Sequence, residues 1–128
     1  MSPIVEIRTT IRGPVPRIAF EDLARAVLGP SYQLSLVLCG DRLAQRINIA
    51  YRKMSYYPNV LSFELDAKEG EIFLNVRKAE REARQYGVTA KQRIALLYVH
   101  GLFHLKGLAH GDAMERAELK VLKKFGLQ

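Results

Sequence analysis

A helix that is apolar on every side can only lie inside a domain, and this chain contains one. The segment from Ala90 to about Lys106 has a middle, Ile94 to Val99, with no polar face, so it must be covered all round. Thr89 stands where a helix cap belongs, and Gly107 where a left-handed residue would end the helix. All the histidines of the chain, His100, His104 and His110, fall in the last turns of this segment or just beyond it. His100 and His104 are spaced i, i+4, so both imidazoles leave one helix face with Cβ atoms about 6 Å apart. That spacing suits two nitrogens converging on one Zn²⁺ at about 2.0–2.1 Å each. A chain turning back at Gly107 would bring His110 to the same point. Three protein ligands and one open position is the pattern of a catalytic zinc, able to acidify a bound water towards pH ~7. The plainer alternative is two packed histidines and a third in a loop. Imidazoles left without partners among so many leucines would be costly, and a metal removes that cost.

The remainder of the chain has to cover this helix. At 128 residues it is expected to form a single domain over residues 1–128, long enough to bury a real core. Taken in order, Ile4–Ile7 predicts a strand and Gly13–Pro16 a break, with Pro16 just before a helix that buries Ile18, Phe20, Leu23, Ala24 and Val27. Tyr32 to Cys39 alternates as a strand. Asp41 is expected to cap a helix running to about Tyr51, with Leu43, Ile47 and Ala50 inward. Val60–Leu65 and Ile72–Leu74, joined by a turn at Ala67–Gly70, predict an antiparallel hairpin. Asn75 can cap the next helix, whose inner face is Val76, Ala79 and Ala83, and whose Glu80, Arg81, Glu82 and Arg84 read as a solvated face. The last helix, about Ala113 to Phe125, turns Met114, Ala117, Val121 and Phe125 to one side. This order predicts an α+β (α/β-like) domain: a small mixed four-stranded sheet packed with helices, with the metal site on the central buried helix.

Charge narrows the partners. The net charge is +7 and the pI about 9.8, which favours a polyanion, although charge of this kind also serves solubility alone. Arg42 and Arg46, with Arg52 and Lys53 just beyond, form a basic face that could track an RNA backbone or simply be solvated. No apolar run reaches the length of a membrane span. The start, Met1 to Ile7, lacks the basic and apolar regions of a secretory leader. Cys39 has no partner for a disulfide and lies among Leu36, Val37 and Leu38. A cytoplasmic location is expected.

The helical H-x-x-x-H pair is shared with zinc metalloproteases, whose general base is the glutamate after the first histidine. Here that position is Gly101, which cannot move a proton, so a peptidase is disfavoured. Gly101 permits close approach, either of a substrate over the metal or of a packed neighbour.

The run H-G-x-x-H-L-x-G-x-x-H, filled by His100, Gly101, His104, Leu105, Gly107 and His110, resembles the signature of the YbeY family of bacterial endoribonucleases, which act in ribosomal RNA maturation. Asn48 with Tyr51-Arg52, the strand Val60-Leu61-Ser62-Phe63 and the turn Gly70-Glu71-Ile72 are similar to that family too. The resemblance spans roughly residues 45–128. It implies a zinc ion on His100, His104 and His110, with nickel or another divalent metal as substitutes, since imidazole suits several. It implies that Arg52 is a cleft arginine meeting RNA phosphate, where a guanidinium can grip two oxygens as they gain charge. Arg52 and the ligand His104 are thus expected to carry turnover. The chain departs from the family at three places: Pro58-Asn59 stands for Thr-Asp, Ala109 for the acid before the third histidine, and the turn acid is Glu71 in place of Asp, so two carboxylates are gone from around the site. Two readings follow. One is a zinc-dependent, single-strand-specific endoribonuclease of ribosomal RNA, with the small ribosomal subunit as a partner and neither DNA nor membrane involved. The other is an RNA- or ribosome-binding protein with a structural or vestigial three-histidine site.

Overall fold

The computed structural model describes residues 4–128, so most of the short stretch read for a leader remains in view and only residues 1–3 lie outside it. The elements run β1 (Val5–Thr9), α1 (Phe20–Leu28), β2 (Gln33–Cys39), α2 (Asp41–Arg52), β3 (Val60–Asp66), β4 (Glu69–Asn75), α3 (Val76–Tyr86), α4 (Ala90–Lys106) and α5 (Asp112–Lys124). They form one mixed four-stranded sheet in the order β1-β2-β4-β3. β1, β2 and β4 are mutually parallel, and β3 returns antiparallel on β4 as the expected hairpin, pairing Val60 with Leu74 and Ser62 with Ile72.

Strand alternation divides the sheet into two unequal faces. Leu34, Leu36, Leu38, Ile72 and Leu74 point to the larger core, where they meet Ile94, Tyr98, Val99 and Leu102 of α4. α4 touches α1, α3, α5, β3 and β4, which is how a helix without a polar face is covered. Its entry is closed by a reciprocal capping box: Gln92 N–H donates to Thr89 Oγ1, and Thr89 N–H to Gln92 Oε1. At its centre the Tyr98 hydroxyl donates to the Phe20 carbonyl at 2.7 Å, and burial pushes that phenol well above its ordinary pKa. The opposite sheet face holds a smaller cluster, Val37, Cys39 and Phe73 against Ala44 and Leu43 of α2. Burial there pushes the Cys39 thiol up to about 12, which makes it inert as a nucleophile.

Four local expectations are corrected. α1 begins at Phe20, so Ile18 reaches the core from extended chain. Gly40, not Asp41, is the cap of α2. The Asp41 carboxylate instead accepts from Asn75 at 2.9 Å and Arg81 at 2.8 Å. α2 buries Ala44 and Asn48, while Ala50 is exposed and Leu43 and Ile47 only half-buried. Its rotation follows a polar contact rather than the apolar stripe, because the buried Asn48 amide donates to the Tyr56 carbonyl at 3.1 Å. Glu82 is not solvated: it accepts from Asn59 and from Arg93 Nε at 3.0 Å. Asn75 does cap α3 as expected, accepting from Lys78 N–H.

Candidate metal centre

Gly107 ends α4 in the left-handed conformation, φ 101°. Its N–H donates to the His104 carbonyl and that of Leu108 to the Phe103 carbonyl, the paired bonds of a Schellman closure. This turn carries the chain back over the last turn of α4. A second glycine, Gly111, with φ 148°, then starts α5. The result places His110 against the helical pair. The three ring centroids are 4.5, 4.6 and 4.7 Å apart, and one ligand atom from each lies within 4.8 Å of the others.

The donor set fits a metal. His100 Nε2 and His104 Nε2 are 3.0 Å apart, close to the roughly 3.3 Å separating two ligands at about 2.0–2.1 Å from a tetrahedral centre. Burial first, then the neighbouring His100 and His104–His110 contacts, hold His104 below the usual imidazole pKa, so the neutral, ligating form is favoured at pH 7. His100 Nδ1 lies 2.6 Å from Glu118 Oε2. A proton on Nδ1 shared with that carboxylate leaves the Nε2 lone pair facing His104.

Glu118 was not anticipated as part of the site. Its signal was present: an acid four residues from Met114 and four from Leu122, in the middle of the apolar stripe of α5, and 7% exposed in the fold. It restores a carboxylate next to the histidines from an element other than those where the family acids were missed. Ala109 is exposed, and Asn59 is engaged with Glu82. Glu71 lies on the sheet face away from α4, accepting from Ser35 Oγ at 3.1 Å, so its extra methylene does not touch the histidines.

The histidines open into a cleft of about 890 Å³ between α4, α5, β3 and the end of α2, lined by His100, His104, His110, Glu115, Glu118, Asn59, Arg52 and Tyr56 among others. Arg52 thus borders the same cleft as the triad, and donates to the Tyr56 hydroxyl at 3.0 Å. Gly101 does not border it. A Cβ there would meet Ser62 Oγ at 2.9 Å and Ile72 Cδ1 at 3.2 Å, and Ser62 Oγ donates to the Gly101 carbonyl at 3.1 Å. Packing of α4 on the sheet, not substrate access, accounts for this glycine. Ser62 is tied up in the same contact, and Asp112 is exposed in the first turn of α5.

A family model described as Endoribonuclease YbeY matches residues 9–128. The protein named Endoribonuclease YbeY from Heliobacterium modesticaldum is 31% identical, over 75% of this chain and 71% of its own length. Those of the same name from Helicobacter pylori and Alkaliphilus metalliredigens are 33% identical, over 86% of this chain and 83% of theirs, and 29% identical, over 96% and 90%. The solution structure of TM1509 from Thermotoga maritima superposes with a TM-score of 0.61 at 21% identity, over 82% of this chain and 77% of that one, which is a likeness of fold.

Proposed function

This chain belongs to the YbeY endoribonuclease family, and from that premise we propose that it is a metal-dependent endoribonuclease that cuts single-stranded RNA, its target being ribosomal RNA during maturation of the small subunit in the cytoplasm. The observation that carries the reading is the convergence of three imidazoles at the floor of an open cleft that an arginine also borders. Residues 1–128 would then act as one hydrolase domain. No helix among the described residues is long and apolar enough to cross a membrane.

His100, His104 and His110 would hold the ion, and an all-imidazole set suits zinc while accepting nickel or copper. A divalent ion there supplies Lewis acidity to a phosphodiester oxygen or to a water. Glu118 keeps the His100 ring in one tautomer and orientation. Arg52, steered by the Tyr56 hydroxyl, is free to bind the non-bridging phosphate oxygens, whose charge rises as the phosphorus becomes pentavalent. The absence of an acid at Asn59 and Ala109 favours the second reading, an RNA-binding protein that does not turn over.

One experiment separates them: labelled single-stranded ribosomal RNA is incubated with chelator-stripped protein, with zinc restored, and with His104→Ala. Cleavage that returns with zinc and is missing in the variant supports the enzyme. RNA bound but uncut by protein with one zinc per chain supports the binder. For Arg52→Ala the enzyme loses turnover with little loss of binding, whereas the binder loses affinity in a salt-dependent way.

A further inference from the structure

The end of α2 and the loop after it form a surface that burial and core packing do not explain. Tyr51 is 71% exposed, Tyr56 50% and Tyr57 46%, with Ile49 and Met54 exposed beside them. Cations are interleaved with these rings at Arg46, Arg52 and Lys53, and no acidic residue occurs between Arg42 and Phe63. Lys78 joins from α3, donating to the Tyr57 carbonyl. A protein partner would need acids or apolar area to match. A single-stranded polyanion with exposed bases matches both halves of the surface at once, rings for bases and cations for phosphates.

Tyr56 is the ring that connects this surface to the histidines, because it lines the cleft. Its backbone is held in place: Asn48 Nδ2 donates to the Tyr56 carbonyl at 3.1 Å, and Gln45 Nε2 to that of Ser55 at 2.7 Å. The Arg52 guanidinium and the Lys78 ammonium each stand 6.0 Å from the ring centroid. That is farther than the roughly 3.5 Å of a stacked plane, so neither cation is stacked on the ring, and a base takes its face as the long cationic side chains turn aside to the phosphates. We propose that Tyr56 is a stacking platform for one unpaired base of the RNA, flanking the phosphate at the histidine centre, with Arg52 and Lys78 on the adjoining phosphates. The proposal rests on the reading of the protein as an RNA endoribonuclease and adds the origin of its preference for single strands: a base within a duplex has both faces already stacked and cannot offer one to Tyr56.

The chain contains no tryptophan, so Tyr56→Trp places a single indole reporter at the platform. Metal-stripped Tyr56→Trp protein is titrated with oligouridylate and with an abasic oligonucleotide of equal length. Quenching by the first and not by the second is the expected result. In anisotropy titrations Tyr56→Phe, which keeps the ring and loses the hydroxyl, should bind within a few-fold of the parent, and Tyr56→Leu about tenfold more weakly, with both variants unfolding at the parental temperature. Equal affinity for Phe and Leu variants, or equal quenching by the abasic strand, overturns the platform. So does failure of any oligonucleotide to bind, which assigns the aromatic surface to a protein. Because these titrations need no metal, they fail independently of the nuclease reading. Intact zinc-dependent cleavage without stacking removes only the platform, and stacking without cleavage by zinc-loaded protein removes only the nuclease.

Discussion

The 2.6 Å contact between His100 Nδ1 and Glu118 decides which nitrogen of that ring is available to a metal. The Glu118 side chain is 9% exposed, and a buried carboxylate without a proton donor would be costly. The imidazole and the acid therefore need each other, and the ring is locked with Nε2 outward. Glu118→Ala is expected to weaken zinc binding by about 10- to 100-fold, read by competition with a chromophoric chelator. Glu118→Gln, whose amide oxygen accepts the same proton, should recover part of that loss. Equal zinc affinity in all three proteins would reduce the contact to packing.

Between elements, α4 fits tightly on the β3–β4 hairpin at Gly101. Gly101→Ala must displace Ser62 Oγ or Ile72 Cδ1, and overpacking of this kind costs about 1–3 kcal/mol. Urea unfolding should show a lower midpoint at unchanged slope, and a midpoint equal to the parent's would mean the hairpin yields freely. A second junction, Asp41, ties the start of α2 to Asn75 and to Arg81 of α3. The hydrogen bond from Arg81 holds the Asp41 carboxyl below the usual carboxylate range, against the opposing effect of burial and with help from Asn75. Its contribution to stability is therefore complete above the unfolded pKa of about 3.9 and disappears as pH falls through the lower folded value. Both side chains are partly solvated, so the effect is modest. Melting temperatures from pH 7 down to acid should fall less steeply in Asp41→Asn than in the parent. Parallel curves would show that the junction contributes nothing.

For the molecule as a whole, charge and cleft act together. The net charge of +7 raises the local concentration of any polyanion, and the acid-free stretch of α2 and its loop directs that attraction to the mouth of the cleft. If three or four phosphates are neutralised there, the affinity for single-stranded RNA should fall with salt along a log–log slope of about −2 to −3. Lys78→Ala, which removes a cation beside Tyr56, should make that slope shallower by roughly 0.7. A slope near zero would indicate binding without phosphate contacts.

How much of this could be seen in the residues alone depends on the range of the interactions involved. The α4 helix, its Thr89 and Gly107 ends, the β3–β4 hairpin, the Asn75 cap and the convergence of His100 with His104 all follow from patterns within a few residues. Local backbone geometry sets those, whatever surrounds them. The three-histidine cluster was legible for the same reason, since one glycine turn brings His110 back. What the chain did not reveal was long-range. The buried face of α2 was misread because Asn48 is held by a loop carbonyl, and Glu82 because its partners come from α4 and the loop before β3. Glu118 was passed over because an acid on an apolar stripe makes sense only once His100 is seen across from it. The sequence by itself determined the three imidazoles and the helix that presents two of them, His100 and His104. Only the tertiary structure decided which carboxylate orients them and that Arg52 and Tyr56 share their cleft, because those pairings join residues far apart in the chain through contacts that exist only after α4, α5 and the sheet have packed.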